Sequence, residues 1–583
     1  MERIWLQHYP QGVPHDVDTS QYPSVAALLE DSFRRYASHP FSVCMDVWMD
    51  YAELDRRSAH LGAWLQSLGL EPGARVAIML PNIPQFAVTM AAVLRAGYTC
   101  VNVNPLYTPR ELEHQLTDSG ASAIIILENF AHTLAEVVEH TQVRHICLTK
   151  MGDLLGPVFG RWISFAVKHL AKMVPLYRLP LHPGLQLTHF PQALAAGSSM
   201  QLRPSTATHD SIAFLQYTGG TTGLSKGAIL THRNIIAATL QADAWFSPAL
   251  KALPDVSKVH NIAALPLYHI FALTLCLLAI RQGSSLSLIP NPRDIPKLVD
   301  VLAKRPFHIF PAVNTLFNAL LQNEKFRGLD FSALKVSQAG GMAASEGTAK
   351  QWQQVTGCPM IEGWGMSETC AIGTNNPVTA QHYNGSIGLP LPGIDIAIKD
   401  DAGNTLPPDE VGELCIRGPN VMAGYYNQPE ETTQAFTADG FMRTGDIGVM
   451  DSQGYTRLID RKKDMMLVSG FNVFPNEIEN ILSLCPGVVE SAAIGVADAH
   501  SGEAIKVFVV RNDPALTEEA VIRHCHAHLT GYKCPKFVEF RDSLPKTNVG
   551  KILRRELRDS SSSATAQSTK TSAPASTAVH TPP

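Results

Sequence analysis

From Gly73 onward, short and almost wholly apolar runs alternate with longer stretches whose apolar residues recur every three to four positions. The pattern predicts a strand over Arg75 to Leu80, a helix over Phe86 to Arg95, a strand over Thr99 to Val103, a second helix, and a strand over Ala123 to Leu127. Thr108-Pro109-Arg110-Glu111 opens the second helix as a capping box with proline at its first position. Strands alternating with helices imply a parallel sheet covered on both faces. The alternation resumes from Asn261 to Val336, so residues 1–459 read as one large α/β body. Within it, Asn384 to Tyr455 differs: short alternating runs such as Glu413-Leu414-Cys415-Ile416-Arg417, broken by Gly and Pro, predict a β-rich subdomain. A charged knot, Asp460-Arg461-Lys462-Lys463-Asp464, then precedes a compact α+β segment over 464–558. Residues 559–583, rich in Ser, Thr, Ala and Pro without periodicity, are expected to be disordered.

At 583 residues the chain is too long for one ordinary core. A net charge of -5 supplies no global basic field for nucleic acid, so contact with an anion or a membrane must be local. Ten cysteines without a C-x-x-C pair argue against a zinc ribbon or a disulfide framework and suit a reducing, cytoplasmic setting. The first residues lack a signal-peptide apolar region, and the longest apolar stretch, Ile270 to Ile280, is too short to span a bilayer. The chain is expected to be soluble or peripheral on the cytoplasmic membrane's inner face.

The strongest chemical signal is Tyr217-Thr218-Gly219-Gly220-Thr221-Thr222-Gly223-Leu224-Ser225-Lys226-Gly227, directly after the apolar run Ile212 to Leu215. Glycines let backbone N–H groups approach an anion, hydroxyls add neutral donors, and lysine adds a charge. The spacing is neither that of a Walker A loop nor that of a dinucleotide turn. Further along come Gly363-Trp364-Gly365-Met366-Ser367-Glu368-Thr369, then Arg443-Thr444-Gly445-Asp446, then Gly550-Lys551. Each is weak alone. In this order they resemble the adenylate-forming superfamily of acyl-CoA synthetases, adenylation domains and luciferases, over the chain to about residue 558. Asp439 to Gly448 through Ile459 to Lys463 resembles the signature of fatty acyl-CoA synthetases. So do Leu265 to Leu273, Asn102 to Tyr107 and Leu467 to Glu479, and together they look like the bacterial long-chain fatty acid–CoA ligases.

The resemblance implies an enzyme that joins ATP, a fatty acid and CoA into acyl-CoA, AMP and diphosphate through an acyl-adenylate, with Mg2+, feeding fatty acid degradation. It implies that Thr218, Gly219, Gly220, Thr221, Thr222, Gly223 and Lys226 hold the β- and γ-phosphates. Glu368 with Thr218 would hold Mg2+, a hard cation that prefers oxygen. Gly340 and Gly341 would pass beside the adenine, with Trp364, Gly365, Met366 and Ser367 at the same end; Trp364 and Ser367 replace the tyrosine and threonine usual there. Asp446 and Arg461 would take the ribose. His269 would face the substrate carboxylate, the other reading being a histidine satisfied by backbone. Lys551, on a mobile C-terminal domain, would bridge the carboxylate and the α-phosphate. Residues 460–463 would form the hinge, at Lys463, and Gly470 would let the pantetheine arm pass.

Two competing functions stay open at this level: a CoA ligase for a medium-chain or aromatic acid, and a non-catalytic lipid-binding protein on the same fold. The retained Glu368, Asp446 and Lys551 argue against the second. The sequence leaves chain length and oligomeric state open, a homodimer included. His524, His526 and His528 around Cys525 read as part of a capped surface helix after Thr517-Glu518-Glu519, with no further ligands apparent nearby. Drawn as one helix, Pro157 to Leu179 sets Arg161, Lys168 and Lys172 opposite Trp162, Ile163, Ala166, Leu170, Met173 and Val174. That face suits either an anionic membrane interface or packing on the protein's own body, and the two stay open.

Overall fold

Continuous apolar strands need cover on both faces, and the computed structural model shows how the chain provides it. It describes residues 2–180, 182–218, 225–251, 253, 258–469, 471–498, 501–547 and 550–560. The chain divides into two units, Met1–Ala344 with Thr348–Leu458, and Ser345–Gly347 with the chain from Ile459 on.

The first unit holds two large, mainly parallel sheets. The eight-stranded sheet runs Gly424–Tyr425, Lys226–Thr231, Ile212–Thr218, Thr99–Asn102, Arg75–Met79, Ala123–Leu127, His145–Thr149, Gln186–His189. Its pairings are parallel from Ile212–Thr218 to Gln186–His189, and antiparallel on the side of Lys226–Thr231. The nine-stranded sheet has a parallel centre formed by Met360–Trp364, Val336–Ala339, Ile309–Ala312, His260–Ala263, Ser285–Leu288 and Pro40–Cys44. Every residue of Ala123–Leu127 is buried, as its unbroken apolar run requires. Every residue of the helix Pro84–Arg95 is buried too. That helix starts two positions before the predicted Phe86, because Pro84 occupies the first turn, where its missing N–H costs nothing. The strand from Arg75 stops at Met79, short of Pro81. Thr108 and Glu111 form the expected reciprocal cap, with Thr108 N–H donating to Glu111 Oε2 at 2.8 Å. The predicted β-rich subdomain supplies Asp395–Lys399, Val411–Arg417 and Met442–Met450 to a four-stranded sheet, and the fourth strand, Thr456–Arg461, begins just beyond the predicted end at Tyr455.

The second unit is α+β. A hairpin of Val488–Asp498 and Gly502–Arg511 is extended by Met466–Val468, Phe471–Val473 and the parallel strand Phe537–Phe540. The helices Pro475–Ser483 and Glu518–His528 pack on it, with Ile478, Leu482, Val521 and Cys525 in one core. His524 Nε2 lies 3.0 Å from the Ile481 carbonyl, which accounts for one of the three histidines of that helix. Among the described residues no helix is long and apolar enough to cross a membrane.

One predicted element is corrected. Pro157 to Leu179 is not a single amphipathic helix: an α-helix covers Phe159–Phe165, a wider π-helical turn covers Ala166–Leu170, and Lys172 takes a left-handed φ of 52°. Lys168 is exposed, as Arg161 and Lys172 are, but it is tethered to the body. Its ammonium is 2.6 Å from Glu128, a carboxylate that is itself buried.

Candidate functional site

The strand Ile212–Thr218 carries the chain to Thr218, which pairs antiparallel with Lys226. Gly219, Gly220, Thr221, Thr222 and Gly223 lie outside the described residues. Lys226 starts the return strand, and that strand pairs in turn with Gly424–Tyr425. Lys226 is thereby set beside a segment some 200 residues later: its Nζ donates to Glu431 Oε2 at 2.5 Å and sits 5.6 Å from the centre of the Tyr425 ring. The Tyr425 hydroxyl donates to Glu368 Oε1 at 2.8 Å. Burial and then the Glu368 charge hold the Tyr425 phenol far above its ordinary range. Lysine, two carboxylates and a phenol thus form one polar cluster at the end of the eight-stranded sheet. Glu368 itself is buried in a short turn, Ser367–Thr369, that follows the strand Met360–Trp364. Sequence reasoning named Lys226 and Glu368 but missed Tyr425 and Glu431. Their only local signal is the Gly-Tyr-Tyr turn followed by Pro-Glu-Glu.

Trp364 ends its strand and donates its indole N–H to Asp446 Oδ2 at 2.7 Å. Trp364 is 8% exposed and Asp446 3%. The indole lies against Gly373, where a Cβ would come within 2.5 Å of the ring. Asp446 N–H donates to Thr444 Oγ1, and the preceding Gly445 adopts φ 71°, a left-handed turn suited to glycine. Trp364 therefore supplies a donor of its own where the resemblance left the hydrogen bonding open. Gly365 passes so close to Ala371 that a Cβ would come within 2.2 Å of the Ala371 carbonyl oxygen. Met366 N–H donates to Thr369 Oγ1 at 2.9 Å, tightening the turn that carries Ser367 and Glu368.

Gly340 and Gly341 follow the neighbouring strand Val336–Ala339, and Gly341 has φ 79°. A Cβ on Gly340 would meet the Phe271 ring at 3.0 Å. The loop is tied down by Glu362, which accepts from Ala344 N–H at 3.1 Å and from the Tyr383 hydroxyl at 3.2 Å. Burial raises the Glu362 carboxyl from 4.5 to about 7.

His269 caps the helix Ile270–Gln282, its Nδ1 accepting from Phe271 N–H at 3.3 Å. Along that helix and the strands beneath it lies a small, mainly apolar cavity of about 20 Å3, lined by Leu265, Ala272, Cys276, Ala279, Asn261 and Gln282 among others.

In the second unit, Asp460 is buried and accepts from Arg461 N–H and Asn476 N–H, and burial raises its carboxyl to about 6. Arg554 pairs with Glu479 at 2.6 Å, and Arg558 pairs with Asp464 at 2.8 Å, tying the start of the unit to the helix over 554–560. Lys551 sits just before that helix in a turn where its N–H donates to Thr547 Oγ1 and Gly550 has φ 87°. Gly470 lies outside the described residues. Arg461 and Lys463 are described, and both belong to this unit. Among the described residues no group of three or more His, Cys, Asp or Glu side chains could hold a metal ion.

Two family models match the chain: "AMP-binding enzyme" over residues 29–426 and "AMP-binding enzyme C-terminal domain" over 477–551. A long-chain-fatty-acid–CoA ligase of Yersinia pestis is 51% identical over 561 residues, which are 96% of this chain and 98% of the relative. A long-chain-fatty-acid–CoA ligase of Escherichia coli O6:H1 shows the same identity and coverage. Among solved structures, an anthranilate CoA ligase, AuaEII, in complex with anthranoyl-AMP superposes with a TM-score of 0.81 at 24% identity, covering 94% of this chain and all of that one; it bears on the fold alone.

Proposed function

Because the chain belongs to the AMP-binding enzyme family, we propose that it acts as a long-chain fatty acid–CoA ligase that activates its acid as an acyl-adenylate. The observation that carries this reading is half identity, kept over nearly the whole chain, with ligases named for that substrate.

The chemistry explains the residues. A carboxylate cannot expel oxide, so one of its oxygens attacks the α-phosphorus of ATP, the bond to the β-phosphate oxygen breaks, and diphosphate leaves. The thiolate of CoA then attacks the acyl carbonyl, and AMP departs with the electron pair. The first step brings two anions together and needs cations aimed at the charge that develops. Lys226, at the mouth of the loop, is the cation for the terminal phosphates. Its ammonium donates to Glu431. Glu368 and Thr218 offer the oxygen ligands that Mg2+ favours, and the buried carboxylate fits that role. Bound there, Mg2+ would neutralise phosphate charge. Asp446, aimed by Trp364, accepts from the ribose hydroxyls, with Arg461 at the same end of the nucleotide. Gly340, Gly341, Gly365, Met366 and Ser367 give the nucleotide its backbone walls. His269 directs the carboxylate. Lys551 bridges the carboxylate and the α-phosphate during the first step only. Rotation about Lys463 then withdraws it, and Gly470 gives the thiol its path. Because a long-chain acid resides in membranes rather than in water, a lipid surface belongs among the partners.

Fatty-acid-dependent exchange of labelled diphosphate into ATP tests the reading. Exchange that needs added acid supports it; ATP binding with no exchange would leave a lipid-binding protein. A series of acids compared by kcat/KM separates long-chain from medium-chain or aromatic preference.

A further inference from the structure

The segment after Asp153 reverses the usual arrangement of a surface helix. The side that meets the body is small and polar, and ends in the half-exposed Lys168. Gly160 crosses Gly152 so closely that a Cβ on either would come within 2.0 Å of the other's carbonyl oxygen. One turn on, Ser164 Oγ accepts from Gly152 N–H at 3.2 Å. One turn further, Lys168 reaches the buried Glu128, which also accepts from the Tyr177 hydroxyl at 3.1 Å. Positions 160, 164 and 168 are spaced four apart, so one face of this helix is fixed to the body by backbone contact and polar bonds. Met173 is held as well, its carbonyl accepting from Asn129 Nδ2 at 2.9 Å.

The outward face is apolar and has no cover among the described residues. Val158 is 73% exposed, Trp162 54%, Phe165 49% and Leu170 62%, and Met173 and Leu176 are exposed as well. Of the expected apolar face, only Ile163 joins the main core as a partly buried neighbour. Trp162 and Phe165 stack on each other, with ring centres 6.1 Å apart. Holding this many large apolar side chains in water on one short stretch marks a contact surface. The charge around it identifies the partner. From Leu154 to His209 the chain has no carboxylate side chain, while Arg161, Lys172 and Arg178 stand exposed in the same stretch. Exposed aromatics flanked by uncompensated cations are the composition of a segment seated at the headgroup boundary of an anionic bilayer.

We propose that Val158 to Leu176 docks the protein on an anionic lipid surface, with Trp162 and Phe165 in the acyl boundary and Arg161 and Lys172 against the phosphates. This rests on the reading that the substrate is a long-chain acid, and it gives that acid a route from the bilayer to the enzyme.

The full-length protein is tested for co-sedimentation with vesicles of phosphatidylcholine alone and of phosphatidylcholine mixed with phosphatidylglycerol. The wild type should bind the mixed vesicles and release as salt rises. Trp162→Ser with Phe165→Ser, and separately Arg161→Glu with Lys172→Glu, should each weaken binding by about tenfold or more. Because these side chains face outward, the Tm and the turnover of a short, water-soluble acid should be unchanged. That turnover also tests the ligase reading on its own, so its loss in the wild type would indict the function rather than the surface. Wild-type protein that ignores mixed vesicles, or variants that bind them as well as wild type does, would overturn the proposal. So would a wild-type dimer in solution that the aromatic variant splits into monomers without any vesicle binding, because the face would then cover a second copy.

Discussion

Trp364→Phe removes one hydrogen-bond donor and keeps an aromatic ring, and the structure says what that should cost. The indole N–H donates at 2.7 Å to Asp446, and both residues are almost fully buried. A hydrogen bond to a buried charge contributes about 1.5–3 kcal/mol, and most of that is the penalty of leaving the carboxylate short of a donor. Part of the loss should appear as lower stability of the first unit, about 2 kcal/mol once the smaller ring's imperfect filling is included. The rest should appear in nucleotide affinity, because a carboxylate no longer held by the indole must be ordered by the ribose itself. We expect KM for ATP to rise by about tenfold, equivalent to about 1.4 kcal/mol, while kcat changes by less than about twofold. The assay is initial-rate kinetics with ATP and with 2′- and 3′-deoxy-ATP. If Trp364 acts through the Asp446–ribose contact, the penalty should shrink to about twofold for the deoxynucleotide that lacks the contacted hydroxyl. An equal penalty for all three nucleotides would reduce Trp364 to a packing residue, and an unchanged KM would refute the argument altogether.

Further outcomes follow from other contacts. Lys551→Ala should slow acyl-adenylate formation by about 10²–10³-fold and spare thioester formation from supplied acyl-adenylate, as single-turnover measurements of each half-reaction would show. Glu431→Ala frees Lys226 from a half-exposed ion pair of modest strength, so KM for ATP should fall by about two- to fivefold, read by the same initial-rate assay. Glu362 carries a carboxyl raised from 4.5 to about 7 in the folded chain, so it favours the folded state most below pH 4.5 and that contribution is lost as pH rises to 7. Relative to wild type, Glu362→Gln should therefore gain about 3 kcal/mol of stability between pH 4.5 and pH 7, measured by denaturant titration at each pH.

What was legible in the sequence follows the range of the forces involved. Ala123–Leu127 announces itself because a strand buried on both faces must be apolar throughout. The Thr108 cap is legible because both its partners lie within three residues. Tyr425 and Glu431 were missed because they meet Glu368 and Lys226 across 57 and 205 positions, through strand pairing that no local pattern encodes. The segment from Phe159 was misread for another reason. Helical periodicity separates two faces but does not say which one docks, and a Gly160–Gly152 backbone crossing can hold the polar face inward as firmly as apolar packing would. Trp364 shows a mixed case: the motif located it, whereas its indole bond to Asp446 depends on a second sheet arriving from 82 residues away.

The account stands most directly on the acyl-adenylate. Wild-type protein mixed with a long-chain fatty acid and α-labelled ATP, without CoA, should convert the label into an acid-stable acyl-AMP in a rapid burst of about one equivalent per chain. CoA added to the quenched-free reaction should then discharge that pool to AMP and acyl-CoA. Label that stays in ATP with every long-chain acid, or that appears as AMP without an acyl-AMP burst, would contradict it.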